Sequence, residues 1–393
     1  MKNRNIIIVG QQPWDTEIGS NCKNIAVEFA KNNRVLYINP PLDRITKLRH
    51  GSTPAVKKRL AIIAGQKNGV ERISNQLFTL YPDCLIESIN WLPGQTLFNF
   101  FNQINNKRFF KSIKPYVDQL GFTDPVLFND GDIFRSFYLI ELLKPSVSIY
   151  YSRDNMIATA YYRKHGLDLE PKLIAKSNVC VANSEYLRDY CATYNAKSFY
   201  VGQGCDFELF DNYLSENRPR KSYPFKSPII GYVGALTAAR LDIKLITDIA
   251  KLRPEWNIVL VGPEDDEFRA SDLHQLSNVY FEGSKPTNEL PEYIDSFDVC
   301  FNPQAINPLT IGNYPRKIDE YLVMGKPTIA TATKSMEAFK EHVYLANTLA
   351  EYISGISKLL NDINPNIVDV RKSFARSHSW TKSVDEIYLT IET

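Results

Sequence analysis

The chain lacks any run of about 18 consecutive apolar residues, and only four apolar residues, at 6–9, follow the N-terminal Met1-Lys-Asn-Arg-Asn5 before Gly10. We therefore expect neither a membrane span nor a signal peptide. Only six cysteines occur among the 393 residues, and none forms a CxxC pair. Cys180 and Cys300 end apolar runs, so we expect reduced, buried thiols in a cytoplasmic protein.

An excess of one charge is also lacking, because 46 Lys and Arg residues face 44 Asp and Glu residues, for a net charge of +2. This balance argues against a dedicated nucleic-acid binder. We see no cluster of metal-ligating residues, and we expect neither a metal ion nor another cofactor. The content of 44% hydrophobic and 23% charged residues is that of a globular protein, and the length suggests two or three domains.

Short apolar runs alternate with longer segments of helical character. The first series predicts strands at 6–9, 35–38, 77–81, 126–128, 147–151 and 179–182, with helices at 18–31, 96–120, 133–143, 155–176 and 184–193. The second series predicts strands at 229–233, 256–261, 279–281, 299–301 and 328–330, with a helix near 240–251. Apolar strands that alternate with helices favour a parallel sheet covered on both faces. We predict an α/β protein of two doubly wound Rossmann-like domains.

A polar segment at 211–227 separates the two series and has the composition of an interdomain linker. We predict an N-terminal domain over 1–205, a linker over 206–227, a C-terminal domain over 228–375 and a C-terminal helical segment over 376–393, which contains Trp380.

Ligands of doubly wound sheets bind where the strands end, so the residues after each strand of the second series are informative. The turn Gly234-Ala-Leu-Thr-Ala-Ala-Arg240 has small residues that let backbone amides approach an anion, and we expect it to open a helix whose N-terminus favours a phosphate. Arg240 would neutralise a diphosphate.

A second segment, 313–330, predicts a helix that starts near Pro315 and ends near Gly325. Lys317 and Glu320 share one face of its opening turns, where the carboxylate would accept hydrogen bonds from ribose hydroxyls and the lysine would meet a phosphate. The alternative is a plain salt bridge between these two side chains.

Together with these segments, an ordered series of motifs resembles the bacterial nucleotide-sugar glycosyltransferases of the GT-B fold, and most of all the exopolysaccharide and teichuronic-acid type. The motifs are Pro13-Trp-Asp15, Arg34-Val-Leu-Tyr-Ile-Asn-Pro-Pro41, Val181-Ala-Asn-Ser-Glu-Tyr-Leu187, Gly204-Cys-Asp-Phe-Glu-Leu-Phe210, Gly231-Tyr-Val-Gly-Ala235, Val259-Leu-Val-Gly-Pro263, Phe281-Glu-Gly-Ser-Lys-Pro286, Glu289-Leu-Pro291, Phe297-Asp-Val-Cys-Phe-Asn-Pro303 and the segment 315–330.

The resemblance implies two domains that face each other across a cleft, with an acceptor site in the N-terminal domain and a donor site in the C-terminal one. It also implies a C-terminal helix that packs back on the N-terminal domain. Glu320 falls on the ribose-binding carboxylate of the family, and Arg240 falls where the family has a lysine for the diphosphate. The same motifs imply that the donor-binding residues include Gly234, Lys317, Gly262, Lys285 and Asn313.

The sequence departs from the family pattern at two positions. Gly312 stands where the family has the first Glu of its Glu-x7-Glu motif, and Ala235 stands where an Arg usually follows the strand-end glycine. The second departure weakens the diphosphate site unless Lys317 or Lys244 compensates.

Acidic residues after strands of the first series are candidates for the catalytic base, namely Asp15, Asp130 or Asp132, and Asp154. An inverting mechanism needs such a carboxylate near the acceptor hydroxyl, whereas a retaining mechanism leaves that proton to the donor phosphate. Each is alternatively a helix cap or a loop acid.

Two stretches of the first series combine basic and aromatic residues. Residues 44–72 carry eight Lys and Arg with one acid, and residues 91–114 mix Trp91 and several Phe residues with four Lys and Arg and no acid. Such a surface rests on an anionic membrane leaflet, since cationic groups attract lipid phosphates and aromatic rings settle at the interface. The alternative is a solvated basic face over a helix whose aromatic residues are core.

The function that the sequence favours is sugar transfer from a nucleotide-diphosphate donor to a growing, lipid-linked cell-surface glycan at the cytoplasmic face of the membrane. Two alternatives remain open: a nucleotide-sugar epimerase on the same fold, and a non-catalytic glycosyltransferase-like subunit.

Overall fold

The computed structural model describes residues 1–16, 20–216, 218–225, 228–362 and 365–392. The chain divides into two compact units, the first formed by Met1–Gly202 with Ser383–Thr393 and the second by Gln203–Lys382. No helix within the described ranges is long and apolar enough to cross a membrane.

Ten strands and seven helices form most of the first unit. The strands are β1 (Asn5–Val9), β2 (Arg34–Ile38), β3 (Leu42–Asp43), β4 (Val70–Arg72), β5 (Leu77–Leu80), β6 (Leu85–Ile86), β7 (Val126–Asn129), β8 (Val147–Ser152), β9 (Val179–Ala182) and β10 (Ser198–Tyr200). The helices are α1 (Asn21–Phe29), α2 (Arg44–His50), α3 (Pro54–Ile63), α4 (Gln95–Gln119), α5 (Leu139–Leu143), α6 (Ala160–Lys176) and α7 (Glu185–Ala192).

Eight of these strands form one twisted sheet in the order β10-β9-β8-β7-β1-β2-β5-β4, in which only β4 is antiparallel to its neighbour. Ile6 of β1 lies opposite Val35 of β2 on one side and Val126 of β7 on the other. The strand order reverses at β1, and the ends of β1 and β7 therefore form the position where doubly wound sheets bind ligands.

The second unit contains six strands and most of the remaining helices. The strands are β11 (Ile229–Val233), β12 (Asn257–Val261), β13 (Val279–Gly283), β14 (Val299–Asn302), β15 (Thr328–Thr331) and β16 (Tyr344–Ala346). The helices are α8 (Glu208–Ser215), α9 (Ile243–Leu252), α10 (Asp266–Arg269), α11 (Leu290–Ser296), α12 (Lys317–Val323), α13 (Leu349–Leu360) and α14 (Pro365–Arg376), followed by α15 (Trp380–Glu392), whose end belongs to the first unit.

The second sheet has the order β13-β12-β11-β14-β15-β16, and all its paired strands are parallel. β11 lies at its centre with every residue buried, as the apolar run 229–233 predicts. Its two faces are covered by separate apolar clusters, one around Phe297 and Tyr321 and the other around Trp256 and Leu260. The order reverses at β11, which makes the end of this strand the corresponding ligand position of the second unit.

Two segments in which the structure differs from the sequence-based expectations are 133–143 and 206–227. The helix predicted at 133–143 is confined to α5, because the side chains of Asn129 and Asp132 accept hydrogen bonds from nearby backbone amides and hold the first half as turns. The segment predicted as a linker over 206–227 contains α8, whose Phe210 and Tyr213 are buried in the second unit. Three residues of that linker prediction, at 217, 226 and 227, lie outside the described residues, as do residues 18 and 19 of the helix predicted at 18–31.

The end of α15 packs within the first unit. Tyr388 accepts a hydrogen bond from Asn33 Nδ2 at 3.0 Å, and its ring stacks on Phe29 with 5.6 Å between ring centroids. Val384 and Ile387 of the same helix are buried. Asn33 and Tyr388 are 355 residues apart in the sequence, so this buried contact joins the end of the chain to its beginning.

We predict that Tyr388→Ala lowers the free energy of unfolding by about 3 kcal/mol, since it removes a buried ring, and that Tyr388→Phe lowers it by about 1 kcal/mol through the lost hydrogen bond. Urea denaturation followed by circular dichroism measures both values. The control is Leu389→Ala, because Leu389 is 57% exposed. Equal stability of all three variants would contradict the packing described here.

Candidate functional site

Two glycines bring the ends of β11 and β12 into close backbone contact. Gly234 has φ +141° and Gly262 has φ +152°, both in the region that favours glycine. A Cβ atom at Gly262 would lie 1.9 Å from the carbonyl oxygen of Gly234, so no other residue fits there without a shift of the backbone. The two turns are therefore packed directly on each other.

The backbone N–H of Gly234 is already engaged and is not free to bind an anion at this turn. Its N–H donates to the carbonyl of Val261 at 2.9 Å, whereas the amide of Ala235 donates no hydrogen bond among the described residues. The next unused group is the hydroxyl of Thr237, which is buried and has no hydrogen-bond partner. Of these two groups, only the N–H of Ala235 lies on an exposed residue of the turn.

The expectation that this turn opens a helix is wrong. α9 begins only at Ile243, and the side chain of Asp242 caps it by accepting a hydrogen bond from the amide of Leu245 at 2.9 Å. A capped N-terminus that carries a carboxylate does not attract an anion. Positive charge at the end of β11 must therefore come from side chains.

Lys317 supplies that charge. As the first residue of α12, it donates a hydrogen bond from Nζ to the hydroxyl of Tyr232, and its ammonium lies 4.2 Å from the centroid of the same ring. A Cβ atom at Gly234 would lie 3.0 Å from this Nζ. The ammonium is therefore held at the end of β11, directly beside the glycine turn.

Glu320 follows on the next turn of α12. It is partly buried, accepts no hydrogen bond from any described residue and forms no ion pair with Lys317, so the alternative of a plain salt bridge is not realised. Burial raises the pKa of its carboxyl, although the nearby Arg316 and Lys317 oppose that shift. A carboxylate that accepts no hydrogen bond from the described residues is available to accept hydrogen bonds from a ligand.

The sequence analysis missed two residues of this cluster, Arg316 and Tyr232. The guanidinium of Arg316 interacts with Glu320, and its Nε is buried without a hydrogen-bond partner. Tyr232 holds Lys317 from within β11. Arg316 could have been found from the sequence, because it stands next to Lys317 at the start of α12. Tyr232 could not, because a tyrosine inside an apolar strand gives no such signal.

A buried contact behind α12 fixes the orientation of this helix. Asp319 is fully buried and accepts a hydrogen bond from Tyr314 Oη at 2.7 Å, and His378 Nδ1 lies 2.7 Å from its other oxygen. Burial raises the pKa of Asp319, and the contacts with His378 oppose that shift. Because Asp319 points into the core, its neighbour Glu320 is placed on a different face of the helix.

No described contact joins the other predicted donor-binding residues Arg240, Lys285 and Asn313 to this cluster. Arg240 is exposed and forms no ion pair with any described residue, and Lys285 follows the edge strand β13 with its Nζ 3.7 Å from Glu282. The amide of Asn313 donates to Thr310, and no described contact joins Asn313 to Lys317 or Glu320. Lys244, which we considered as a compensating cation, is paired with Asp248 on α9. Lys317 is thus the better placed of the two.

In the first unit, Arg153 joins two of the candidate catalytic acids. Its Nε lies 2.7 Å from Asp130 at the end of β7, and its Nη1 lies 3.0 Å from Asp154, which follows β8. The side chain of Asp130 is fully buried, and burial raises its pKa although Arg153 opposes the shift. The side chain of Asp154 remains 34% exposed, so it is the accessible acid of the pair.

Asp15 lies in a separate ion pair. Both of its carboxylate oxygens accept hydrogen bonds from Arg59, at 2.8 and 3.1 Å, and Lys58 lies 4.0 Å away. Partial burial acts to raise the pKa of Asp15, but the hydrogen bonds and charges of these cations outweigh it and lower the pKa. Such a carboxylate is a weak base, and it contacts neither Asp130 nor Asp154 in the described structure.

Within the described residues, no group of three or more His, Cys, Asp and Glu side chains is arranged to hold a metal ion. The expectation that the chain needs no metal or other cofactor stays a prediction.

Comparison with known proteins identifies the second unit. Residues 227–362 match the model of the family described as glycosyl transferases group 1. Most of the second unit is thus similar to a group 1 glycosyltransferase domain. TuaH of Bacillus subtilis, which its name assigns to teichuronic acid biosynthesis as a glycosyltransferase, is 24% identical over 241 residues, covering 58% of this chain and 60% of its own. The chain thus spans 60% of the length of this curated relative.

Solved glycosyltransferase structures share the fold over the whole chain. Sucrose-phosphate synthase from Thermosynechococcus elongatus superposes with a TM-score of 0.67 at 14% identity, covering 99% of this chain and 98% of that one. Anabaena HepE in complex with UDP and glucose gives 0.63 at 14%, covering 99% and 100%. Trehalose 6-phosphate synthase from Burkholderia multivorans gives 0.65 at 10%, covering 100% and 98%. The predicted GT-B architecture and the resemblance to bacterial GT-B glycosyltransferases are confirmed.

We predict that Asp15→Asn lowers the free energy of unfolding of the protein by about 2 kcal/mol at pH 7, because it leaves the buried Arg59 without its carboxylate. The pKa of Asp15 is lowered by folding, so its contribution is complete above the ordinary value of 3.8 and is lost as the pH falls through the lowered value. Urea denaturation at pH 7 and pH 3 measures both effects. Asp118→Asn, at an exposed ion pair, serves as the control, and equal losses in the two variants at pH 7 would refute this role.

Proposed function

We propose that the protein transfers a sugar from a nucleoside-diphosphate donor to a hydroxyl group of a glycan, with the donor bound by the second unit. The observation that carries this proposal is the ammonium of Lys317 fixed beside the glycine turn at the end of β11, with Arg316 and Glu320 close to it at the start of α12. The cations match the phosphates of a nucleotide, and the neighbouring carboxylate matches the hydroxyl groups of its ribose.

The reaction places new negative charge on the departing diphosphate, and donors that are already in position stabilise it best. Lys317 is held by Tyr232 before any ligand binds, so little reorganisation is needed when the sugar–phosphate bond breaks. The amide of Ala235 and the guanidinium of Arg316 add two more donors. This set replaces the arginine that the family usually has at the position of Ala235.

Glu320 recognises the ribose in this proposal. An ionised carboxylate accepts hydrogen bonds only, and its two oxygens match two neighbouring hydroxyl groups. The raised pKa of Glu320 shows that burial without a partner disfavours its charged form in the free protein. Hydroxyl groups of a bound ribose would supply the missing partners.

Asp154 is the base in this proposal if the reaction inverts the sugar configuration. It stands at the end of β8, is partly exposed and is oriented by Arg153, which Asp130 in turn holds from the buried side. Asp130 is then a positioning residue, because its side chain is fully buried. Asp15 is engaged by Arg59 and is the weakest of the three candidates.

The acceptor that we propose is a lipid-linked glycan of the cell surface, reached at the inner face of the membrane. The name of the relative TuaH and the surface of the first unit support this. Leu48 and Trp91 are 85% and 69% exposed, and the nearby Lys47 and Arg49 of α2 are exposed without ion pairs. Other parts of the two basic stretches are neutralised internally, since Arg44 and Arg108 both pair with Glu87.

We predict that Glu320→Gln weakens binding of the nucleoside diphosphate about 10- to 100-fold, since hydrogen bonds to a charged group are lost. The same change raises the melting temperature of the free protein at pH 7. A carboxyl whose pKa rises on folding opposes folding when it is ionised, and this gain disappears as the pH falls below the ordinary value of 4.5.

Thermal-shift titrations with UDP, GDP, dTDP and CMP measure both effects, and a ligand at 100 times its Kd stabilises by about 2.7 kcal/mol. The control is Glu267→Gln, an exposed residue of the same unit. If Glu320→Gln binds the preferred nucleotide as tightly as the wild type, the donor site lies elsewhere. Binding of a nucleotide without turnover of any sugar donor would favour the non-catalytic subunit.

We predict that Asp154→Asn lowers kcat about 10²- to 10⁴-fold with little change in donor KM, as expected when a general base is removed. Steady-state kinetics with the matched control Asp168→Asn measure this difference, because Asp168 lies in a surface ion pair of the same unit. An unchanged kcat would exclude Asp154 as the base and would assign the proton to the donor phosphate.

A further inference from the structure

Asp319 is a fully buried carboxyl group at the back of α12, the helix that carries Lys317 and Glu320. Its two oxygens have different partners. One accepts a hydrogen bond from Tyr314 Oη at 2.7 Å, and the other lies 2.7 Å from His378 Nδ1. Tyr314 Oη is also 3.2 Å from His378 Nδ1, so these three side chains form a closed triangle of polar groups inside the second unit.

Aromatic rings surround this triangle. The ring of His378 lies edge-on to Phe374, with 4.7 Å between ring centroids, and to Phe339, with 5.7 Å. Phe339 is fully buried, and the ring of Tyr314 packs against it at 5.3 Å. Because apolar rings exclude water, charges inside the triangle are screened less than charges at the surface.

The hydrogen bonds of the triangle fix the positions of its protons. An ionised carboxylate only accepts hydrogen bonds, and the hydroxyl of Tyr314 donates its single proton to Asp319. The other oxygen of Asp319 therefore accepts from an N–H group at His378 Nδ1. A second proton binds at Nε2, which forms no hydrogen bond with any described residue. The side chain of His378 is 18% exposed, so this proton can come from solvent.

The segment that contains His378 also contacts the first turn of α12. The carbonyl of His378 accepts a hydrogen bond from the amide of Cys205 at 2.9 Å, and Cys205 Sγ lies 4.0 Å from the carbonyl oxygen of Arg316. The guanidinium of Arg316 lies 6.0 Å from the centroid of the Trp380 ring. Since α12 has no side-chain hydrogen bond at its N-cap, these contacts and the triangle hold its start in place.

The charge of Asp319 acts on the neighbouring Glu320. Burial raises the pKa of Glu320, and the negative charge of Asp319 adds to that shift. A protonated His378 cancels this charge, because it forms an ion pair with Asp319 across 2.7 Å. The imidazolium form therefore favours the ionised form of Glu320, and it reduces the repulsion between Asp319 and an anionic ligand.

The other titratable groups around the triangle keep one charge state near neutral pH. Burial raises the pKa of the Cys205 thiol well above its ordinary value, whereas burial lowers the pKa of His342. Arg376 of α14 is paired with Asp211. Among the described residues, the titratable and charged groups that face the triangle or border it are Tyr314, Arg316, Glu320, Cys205, His342 and Arg376.

We propose that His378 is a positioning residue of the donor site, and that binding of a nucleoside-diphosphate donor is coupled to uptake of one proton at its Nε2. The imidazolium holds Asp319 and with it the back of α12, which keeps Lys317 at the end of β11 while the diphosphate brings in negative charge. The donor part of this inference rests on the proposed function. Because coupling is reciprocal, affinity for the donor rises as the pH falls through the titration range of histidine.

The test is calorimetric titration of the full chain with UDP-glucose, GDP-mannose and dTDP-glucose, since the diphosphate diester of a nucleotide sugar does not itself titrate near neutral pH. Titrations at pH 7 in PIPES, HEPES and Tris, which differ in ionisation enthalpy, give the number of protons taken up. We expect net proton uptake, and an affinity about 5- to 10-fold higher at pH 6 than at pH 8.5. Titration of Glu320 alone would have the opposite sign, because a bound ribose favours its ionised form.

Three variants assign the proton to one histidine. His378→Asn keeps an N–H group for Asp319 and carries no charge, so we expect it to take up no proton and to bind at pH 6 as weakly as the wild type does at pH 8.5. The matched control is His342→Asn, because His342 packs on the same Phe374, with 3.9 Å between ring centroids, and forms no hydrogen bond with a described carboxylate. His274→Asn is a second control, since His274 lies 2.7 Å from a carboxylate elsewhere in the unit.

The wild-type values need no variant, and circular dichroism checks that each variant is folded. If the wild type binds a nucleotide sugar without proton uptake and equally well at pH 6 and pH 8.5, the role of His378 is refuted while the donor site stands. The same holds if His378→Asn keeps the wild-type pH dependence, or if either control variant loses it. If no nucleotide sugar binds at either pH, the proposed function and this inference both fail.

Discussion

Backbone contact between two glycines is the constraint on which the donor site depends. Since a Cβ atom at Gly262 would lie 1.9 Å from the carbonyl of Gly234, the ends of β11 and β12 can pack together only without side chains. This contact leaves the end of β11 uncovered, and Lys317 reaches it from the start of α12. The chain thus holds the ammonium of Lys317 beside a turn in which the N–H of Ala235 is unused, before any ligand is present.

In the first unit, by contrast, internal ion pairs hold several of the charged side chains. Arg153 holds two acids at the ends of β7 and β8, and Arg59 holds Asp15. Fixed ion pairs of this kind order the loops after the strands, where doubly wound sheets bind their ligands.

Much of the fold could be predicted from the sequence. Strands such as β11 are short continuous apolar runs, and the longer segments between such runs have the residue pattern of helices. The positions of Lys317 and Glu320 on α12 were also predictable, since they follow from helical spacing. The role of Tyr232 was not predictable, because it depends on a contact with Lys317, 85 residues further along the chain. Arg240 and Lys285 were predicted from motif positions, and no described contact brings them to the cluster, since motif order does not fix the path of a loop.

The most direct test of the donor site compares calorimetric titrations of the preferred nucleoside diphosphate and its parent nucleoside with the wild type, Lys317→Met and Lys285→Met. The measured quantity is the ratio of the Kd of the nucleoside to the Kd of the diphosphate. The account predicts that Lys317→Met lowers this ratio at least tenfold, while Lys285→Met leaves it unchanged. If the two variants lose the same amount, or if Lys317→Met loses nothing, the diphosphate is bound elsewhere and the role assigned to the glycine turn and Lys317 is wrong.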